Sequence, residues 1–162
     1  MTHRIELFHG TTPAIAKQLI NCKVTVALGG GEFGRGFYLG TSRRLAKRRA
    51  FHKTQAVVGT AAQAMSSKDN TFQVTVDVVQ LRTFYGEKLL DRNGARALFA
   101  QLKSANTTGS YSVAPNYDYV VGPVAGRKGR YLCVTQFKFD SLRSEKVLNK
   151  QCTDVTPVTS II

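Results

Sequence analysis

The sequence predicts an α+β fold in a single domain spanning residues 1–162. Three observations carry that expectation. Residues 71–81 alternate apolar and polar side chains and are rich in β-branched residues, the pattern of a strand with one buried face. Helical patterns cluster early and strand patterns late, without the regular alternation of βαβ units. At 162 residues the chain matches one core of ordinary size.

In chain order, residues 4–9 (Arg-Ile-Glu-Leu-Phe-His) roughly alternate and predict a strand that Gly10 ends. Thr12 as N-cap and Pro13 at the first helical position open a helix to about residue 20. Residues 24–28 suggest a second short strand. The segment 29–36 holds five glycines in eight residues and predicts a loop. A short apolar strand, 37–40, leaves it. Thr41-Ser42 then caps a helix over 43–65, with Leu45, Ala46, Ala50, Val57 and Val58 among its apolar positions. After the strand 71–81, in which Phe72, Val74, Val76 and Val78 share a face, a helix is expected over 89–103 on Leu98, Phe99 and Leu102. Residues 105–115 predict a polar loop. Strands follow at 117–124 and 131–139, with a glycine-bounded turn at 126–129, and one helical turn at 144–148 precedes an irregular tail.

Composition narrows the function classes. No apolar run approaches the ~18 residues of a membrane span, and Met-Thr-His-Arg does not lead into a signal-peptide core. The expectation is a soluble domain, compatible with excision from a longer protein. Cys22, Cys133 and Cys152 are odd in number and far apart, which predicts neither a disulfide framework nor a zinc site. Lys and Arg total 23 against 10 acids, a net charge of +13. That exceeds the ~2 to 8 that solubility asks of a small domain and points to a polyanionic partner.

Considered singly, His9 before Gly10 and the glycine loop are weak signals. No G-K-[ST] follows the loop, and it does not join a strand to a helix as a dinucleotide fingerprint would. Taken in order they say more. Phe8-His9-Gly10-Thr11, then Glu32-Phe33-Gly34-Arg35-Gly36-Phe37-Tyr38-Leu39-Gly40-Thr41, then Ala46 and Ala50 on a helix, then Tyr117-Asp118-Tyr119-Val120-Val121-Gly122-Pro123-Val124-Ala125, resemble the ADP-ribosyltransferases of the diphtheria-toxin class, especially toxin domains of bacterial polymorphic, Rhs-type systems. The resemblance covers roughly residues 6–50 and 116–140; residues 55–110 match no pattern.

The resemblance implies two small packed β-sheets forming an NAD+ cleft flanked by helices, with NAD+ as substrate and no metal. Under it His9 bonds ribose hydroxyls, backbone groups of Gly10 hold the carboxamide, Thr11 is a further cofactor-binding position, and the Tyr38 ring stacks on nicotinamide across the cleft from His9. The loop 29–36, with Phe33, folds over the donor, and Gly36 and Phe37 are further cofactor-binding positions. The third catalytic position, usually a glutamate on a late strand, falls on Gln136, with Glu145 in reserve. An amide there orients but stabilises positive charge less well than a carboxylate. An aromatic often found on the helix after the tyrosine strand has no counterpart at Arg49, so Phe51 or no residue takes that role.

From Phe33 to Lys68 the chain has no acid, while Arg43, Arg44, Lys47, Arg48, Arg49 and Lys53 crowd one helix. Such i, i+4 like-charge pairs repel unless an anion is near. With Arg127, Lys128 and Arg130 they form the expected target-binding surface, for RNA before DNA. An acidic immunity protein is the other partner expected, and no membrane is. The localisation implied is that of a secreted effector delivered to the cytoplasm of a target cell. Two other functions remain open: an RNA 2′-phosphotransferase, which shares the H-G-T start but usually carries histidine where this chain has Tyr38, and a basic RNA-binding module without catalysis.

Overall fold

The structure, a computed structural model, describes residues 3–21, 23–60, 71–105, 117–125, 131–151 and 156–157. Strands β1 (Arg4–Gly10), β4 (Phe37–Gly40), β5 (Thr71–Asp77), β6 (Glu87–Leu89), β7 (Tyr119–Ala125), β8 (Tyr131–Phe139) and β9 (Thr156–Pro157) form one sheet in the order β6-β7-β8-β4-β1-β5-β9. Among the described strands only β6 and β7 run parallel. A separate two-stranded ribbon pairs β2 (Gly30–Gly31) with β3 (Gly34–Arg35). The helices are α1 (Pro13–Ile20), α2 (Arg43–Val58), α3 (Val78–Phe84), α4 (Arg92–Ser104) and α5 (Leu142–Gln151). The fold is mixed α+β, as the sequence predicts.

The arrangement of the sheets differs from expectation. All four residues of β4 are registered with β8, whereas Phe8 opposite Gly40 is the one pair registered between β4 and β1. Two ladders, β6-β7-β8-β4 and β1-β5-β9, thus join at a single pair and make one connected sheet in place of two separate ones.

Two cores lie against this sheet. The larger gathers Leu7, Val74, Val76, Phe37, Leu39, Phe137 and Phe139 with Leu19 of α1 and Leu148 of α5. The smaller gathers Phe33, Tyr38, Val120 and Ala95, with Leu90 and Leu98 packed against it. Neighbouring residues of β4 therefore serve different cores, Phe37 and Leu39 the first and Tyr38 the second, as strand alternation requires. Helix α2 buries a narrow stripe of Ala46, Ala50 and Thr54.

Five expected elements are corrected. The strand over 71–81 stops at Asp77, whose side chain accepts from the amides of Val79 (3.0 Å) and Gln80 (3.1 Å) and so caps α3. The helix over 89–103 begins later: 87–89 is a strand, and Asp91 caps α4 by accepting from Gly94 at 2.7 Å. Helix α2 ends at Val58 instead of 65, because Gly59 closes it in the left-handed conformation (φ 81°). Residues 24–28 form no strand; Asn149 and Glu145 of α5 accept from the amides of Val24 and Val26 at 2.7 and 2.8 Å. The single turn expected at 144–148 is part of the longer α5. The loop at 105–115, apart from Ala105, and the turn at 126–129 lie outside the described residues, as do Cys22 and Cys152; Cys133 is an exposed free thiol. No helix among the described residues is long and apolar enough to cross a membrane.

Candidate active site

A cleft of about 750 Å³ opens where β1, β4, the glycine loop and α2 converge, within the range of small-molecule and cofactor sites. It brings together His9, Gly10, Thr11, Gly36, Phe37, Tyr38 and Gln136 among the expected residues.

His9 is fixed at the cleft by two contacts. Its ring stacks on Phe37 at 4.4 Å, and Nδ1 donates to the backbone carbonyl of Tyr38 at 2.6 Å. A carbonyl only accepts, so the proton sits on Nδ1 and Nε2 is left as an acceptor. Burial pulls the imidazole pKa down to about 4, against the raising effect of that hydrogen bond; the charges of Lys53 and Arg49 lower it further. At pH 7 the ring is neutral, a fit acceptor for a hydroxyl proton.

Gly10 lines the cleft, but what demands glycine there is packing. A Cβ would run into the carbonyl oxygen of Ala46, so α2 crosses β1 too closely for any side chain. Thr11 follows it, fully buried, lining the cleft, with no hydrogen-bond partner for Oγ1 among the described residues. An orphaned buried hydroxyl costs stability on the order of 1–3 kcal/mol, which a ligand group can recover.

The loop does not fold over the cleft through Phe33. Phe33 is 1% exposed, lies in the smaller core and packs on Gly122, where a Cβ would meet its Cζ at 2.9 Å. It anchors the loop from below. Tyr38 does not face His9 either: the imidazole meets the Tyr38 carbonyl, while the phenol ring lies in the smaller core, 8% exposed, with Gly31 against it. Its Oη donates to Gly34 O at 2.6 Å and accepts from Phe33 N at 3.0 Å. Burial raises its pKa well above the ordinary phenol value. Tyr38 thus holds the loop in place, and for its ring to stack on a ligand Gly31 must lift away. Gly36 completes the loop at φ 155°, squeezed between the Phe139 carbonyl and the Lys138 stem.

Gln136 is buried at the cleft wall. Its Nε2 donates to Glu32 Oε2 at 2.7 Å, and the amide of Ala125 donates to the same oxygen at 2.8 Å. Glu32 is the only acid lining the cleft among the described residues. Burial raises its pKa; the two hydrogen bonds and the Arg49 charge oppose that rise. Sequence reasoning passed over Glu32, although a cue was present: it is the only acid between Glu6 and Asp69. Glu145, the reserve, does not line the cleft; it is committed to the Val26 amide.

The basic helix divides. Arg43, Arg44 and Arg48 are exposed and Lys47 is half-buried, outside the cleft. Arg49, expected on the target surface, lines the cleft instead, together with His52 and Lys53. Burial, then the charge of Arg49, lower the Lys53 pKa. Two cations one turn apart in a cleft suit a diphosphate. Phe51 does not line the cleft and meets His52 edge-on at 5.4 Å. Arg127, Lys128 and Arg130 lie outside the described residues. Among the described residues no three His, Cys, Asp or Glu side chains gather as a metal site would need.

Comparison of the chain with protein-family models, with curated proteins and with solved structures returned no match.

Proposed function

We propose that this chain is a mono-ADP-ribosyltransferase that cleaves NAD+, releases nicotinamide and transfers ADP-ribose to RNA. The observation that carries the reading is the content of one cleft: a neutral His9 locked in the tautomer that accepts at Nε2, a Thr11 hydroxyl without a partner among the described residues, the Arg49–Lys53 cation pair and a buried carboxylate. These match, in order, ribose hydroxyls, a polar group of the nucleotide, a diphosphate and a developing cationic C1′. Nicotinamide is already a good leaving group, so positioning and charge stabilisation supply most of what the reaction needs. The resemblance in the sequence points the same way, including the finer assignment to the ADP-ribosyltransferase fold.

The acceptor follows from charge. Arg43, Arg44 and Arg48 stand exposed on the helix whose other side lines the cleft. A phosphate backbone tracked by them brings hydroxyls toward the reacting carbon. In this reading the chain acts as an effector toxin domain delivered into a target cell, and an acidic immunity protein neutralises it in the producer.

The test is incubation of the purified protein with NAD+ labelled in the adenylate half, with and without RNA. Nicotinamide is quantified, and label is traced to RNA or protein by mass analysis. Release of nicotinamide with label in RNA is expected, and His9→Ala should reduce release by at least 10²-fold. Label in protein reassigns the acceptor. Salt-sensitive RNA binding without NAD+ turnover, unchanged in His9→Ala, would leave a non-catalytic RNA-binding module; NAD+-dependent removal of a 2′-phosphate from RNA would make the chain a phosphotransferase.

A further inference from the structure

The geometry points to Glu32, delivered from the glycine loop, as the catalytic carboxylate of this cleft, with Gln136 as the residue that positions it. The inference rests on the proposed NAD+ reaction and assigns a role in it.

Four observations converge. Glu32 is the only acid lining the cleft among the described residues. One of its oxygens, Oε2, is held by the Gln136 amide at 2.7 Å and the Ala125 amide at 2.8 Å, while Oε1 has no hydrogen-bond partner among the described residues. The neighbour Phe33 is anchored in the smaller core, and Tyr38 ties the amide of Phe33 and the carbonyl of Gly34. Glu32 therefore stands at the tip of a ribbon fixed on both sides, turned into the cleft while Phe33 turns down. Finally, Gln136 cannot itself supply charge, but its Nε2 is spent on a group that does. Strand β8 thus presents a carboxylate at one remove.

The bond from ribose C1′ to the nicotinamide nitrogen breaks, its electron pair goes to the ring nitrogen, and neutral nicotinamide leaves. The positive charge building at C1′ is stabilised by the Glu32 carboxylate. The acceptor hydroxyl oxygen forms the new bond to C1′, its proton passes to Oε1 of Glu32, and water removes that proton to restore the carboxylate. A carboxyl whose pKa burial has raised accepts a proton more readily than a free one.

Three variants test the assignment: Glu32→Gln, Gln136→Glu, and the two combined, which moves the carboxylate from loop to strand. Nicotinamide release gives kcat and the KM for NAD+, calorimetry gives NAD+ affinity, and thermal unfolding checks the fold. In Glu32→Gln, kcat should fall by about 10²- to 10³-fold with KM changed less than about threefold. Gln136→Glu should lose at least about tenfold in kcat, because two carboxylates then contend for one site and one takes up a proton. The double variant should recover at least about tenfold over Glu32→Gln, which a purely structural contact would not do. Wild-type turnover retained within about threefold in Glu32→Gln, or turnover raised by Gln136→Glu alone, overturns the assignment. If wild-type protein releases no nicotinamide, the NAD+ reading fails as a whole, a result distinct from either. Should Glu32→Gln not fold, Glu32→Asp serves in its place: it keeps the charge but withdraws it by one methylene, and unchanged kcat there would be equally damaging.

Discussion

Gly10 and His9, adjacent on β1, answer to different physics. Gly10 is required by helix packing: α2 presents Ala46 and Ala50 to β1, and the Ala46 carbonyl occupies the space a side chain would need. Gly10→Ala should therefore cost about 2–3 kcal/mol of stability, read as a lower urea midpoint at unchanged m-value. A change below about 0.5 kcal/mol would show that α2 yields easily. His9 is governed by solvation. Its folded pKa, about 4, is lower than the ordinary 6.5, so the unfolded chain takes up a proton first as pH falls. Its contribution is complete above pH 6.5 and is lost as pH falls toward about 4, by up to about 1.4 kcal/mol per pH unit. Glu32, raised instead of lowered, titrates with the opposite sign, so the informative quantity is the difference between wild type and His9→Gln in urea unfolding at pH 7, 6 and 5. That difference should narrow as the solution is acidified; if it stays constant, the imidazole is not held neutral.

At the scale of elements, the glycine loop is a ribbon that one side chain holds shut. The Tyr38 hydroxyl both accepts from Phe33 N and donates to Gly34 O, and Gly31 lies against the ring. Tyr38→Phe keeps the ring and deletes both bonds, leaving two buried backbone groups unmatched. It should lower stability by about 1–3 kcal/mol and reduce nicotinamide release at least tenfold by loosening the loop that carries Glu32. A tyrosine whose whole role was to stack on nicotinamide would tolerate phenylalanine, so wild-type turnover in this variant would separate the two roles. The same contrast explains what the sequence disclosed and what it hid. Strand β5 was legible because its alternation is local, and α2 because Ser42 and its two alanines stand within two turns of one another. The segment 24–28 was not, because the groups that take its amides, Asn149 and Glu145, lie more than a hundred positions away in the chain. Helix α3 was hidden because Val78 carries the apolar/polar alternation of β5 on past Asp77; the Asp77 cap decides between strand and helix there. Of the residues that line the cleft, His9 and Thr11 stood in the quoted motifs and Gln136 on the late strand where the resemblance puts a third position, whereas Glu32, though inside a motif, and Lys53 reach the cleft only through a loop bend and a helix orientation.

At the scale of the whole molecule, the excess of cations is unevenly used. Arg49 and Lys53 turn inward to the cleft, and Arg44 and Arg48, one helical turn apart on α2, turn outward and are exposed. An outward like-charge pair of this spacing destabilises its helix by about 0.2–0.5 kcal/mol in low salt. Retaining it makes physical sense if a polyanion neutralises it. Each phosphate so neutralised releases condensed counterions, and the logarithm of the binding constant then falls linearly with the logarithm of salt concentration, by about 0.9 per contact on duplex and about 0.7 on single strands. Replacing both residues, Arg44→Gln with Arg48→Gln, should flatten that slope by about 1.4 to 1.8 for RNA, measured by fluorescence anisotropy across a salt series, while the unfolding midpoint at low salt holds or rises slightly. An unchanged slope would remove this side of α2 from the RNA path, and the target surface would then have to be sought on another part of the molecule. A slope flattened together with a lower unfolding midpoint would instead mean that these arginines support the fold.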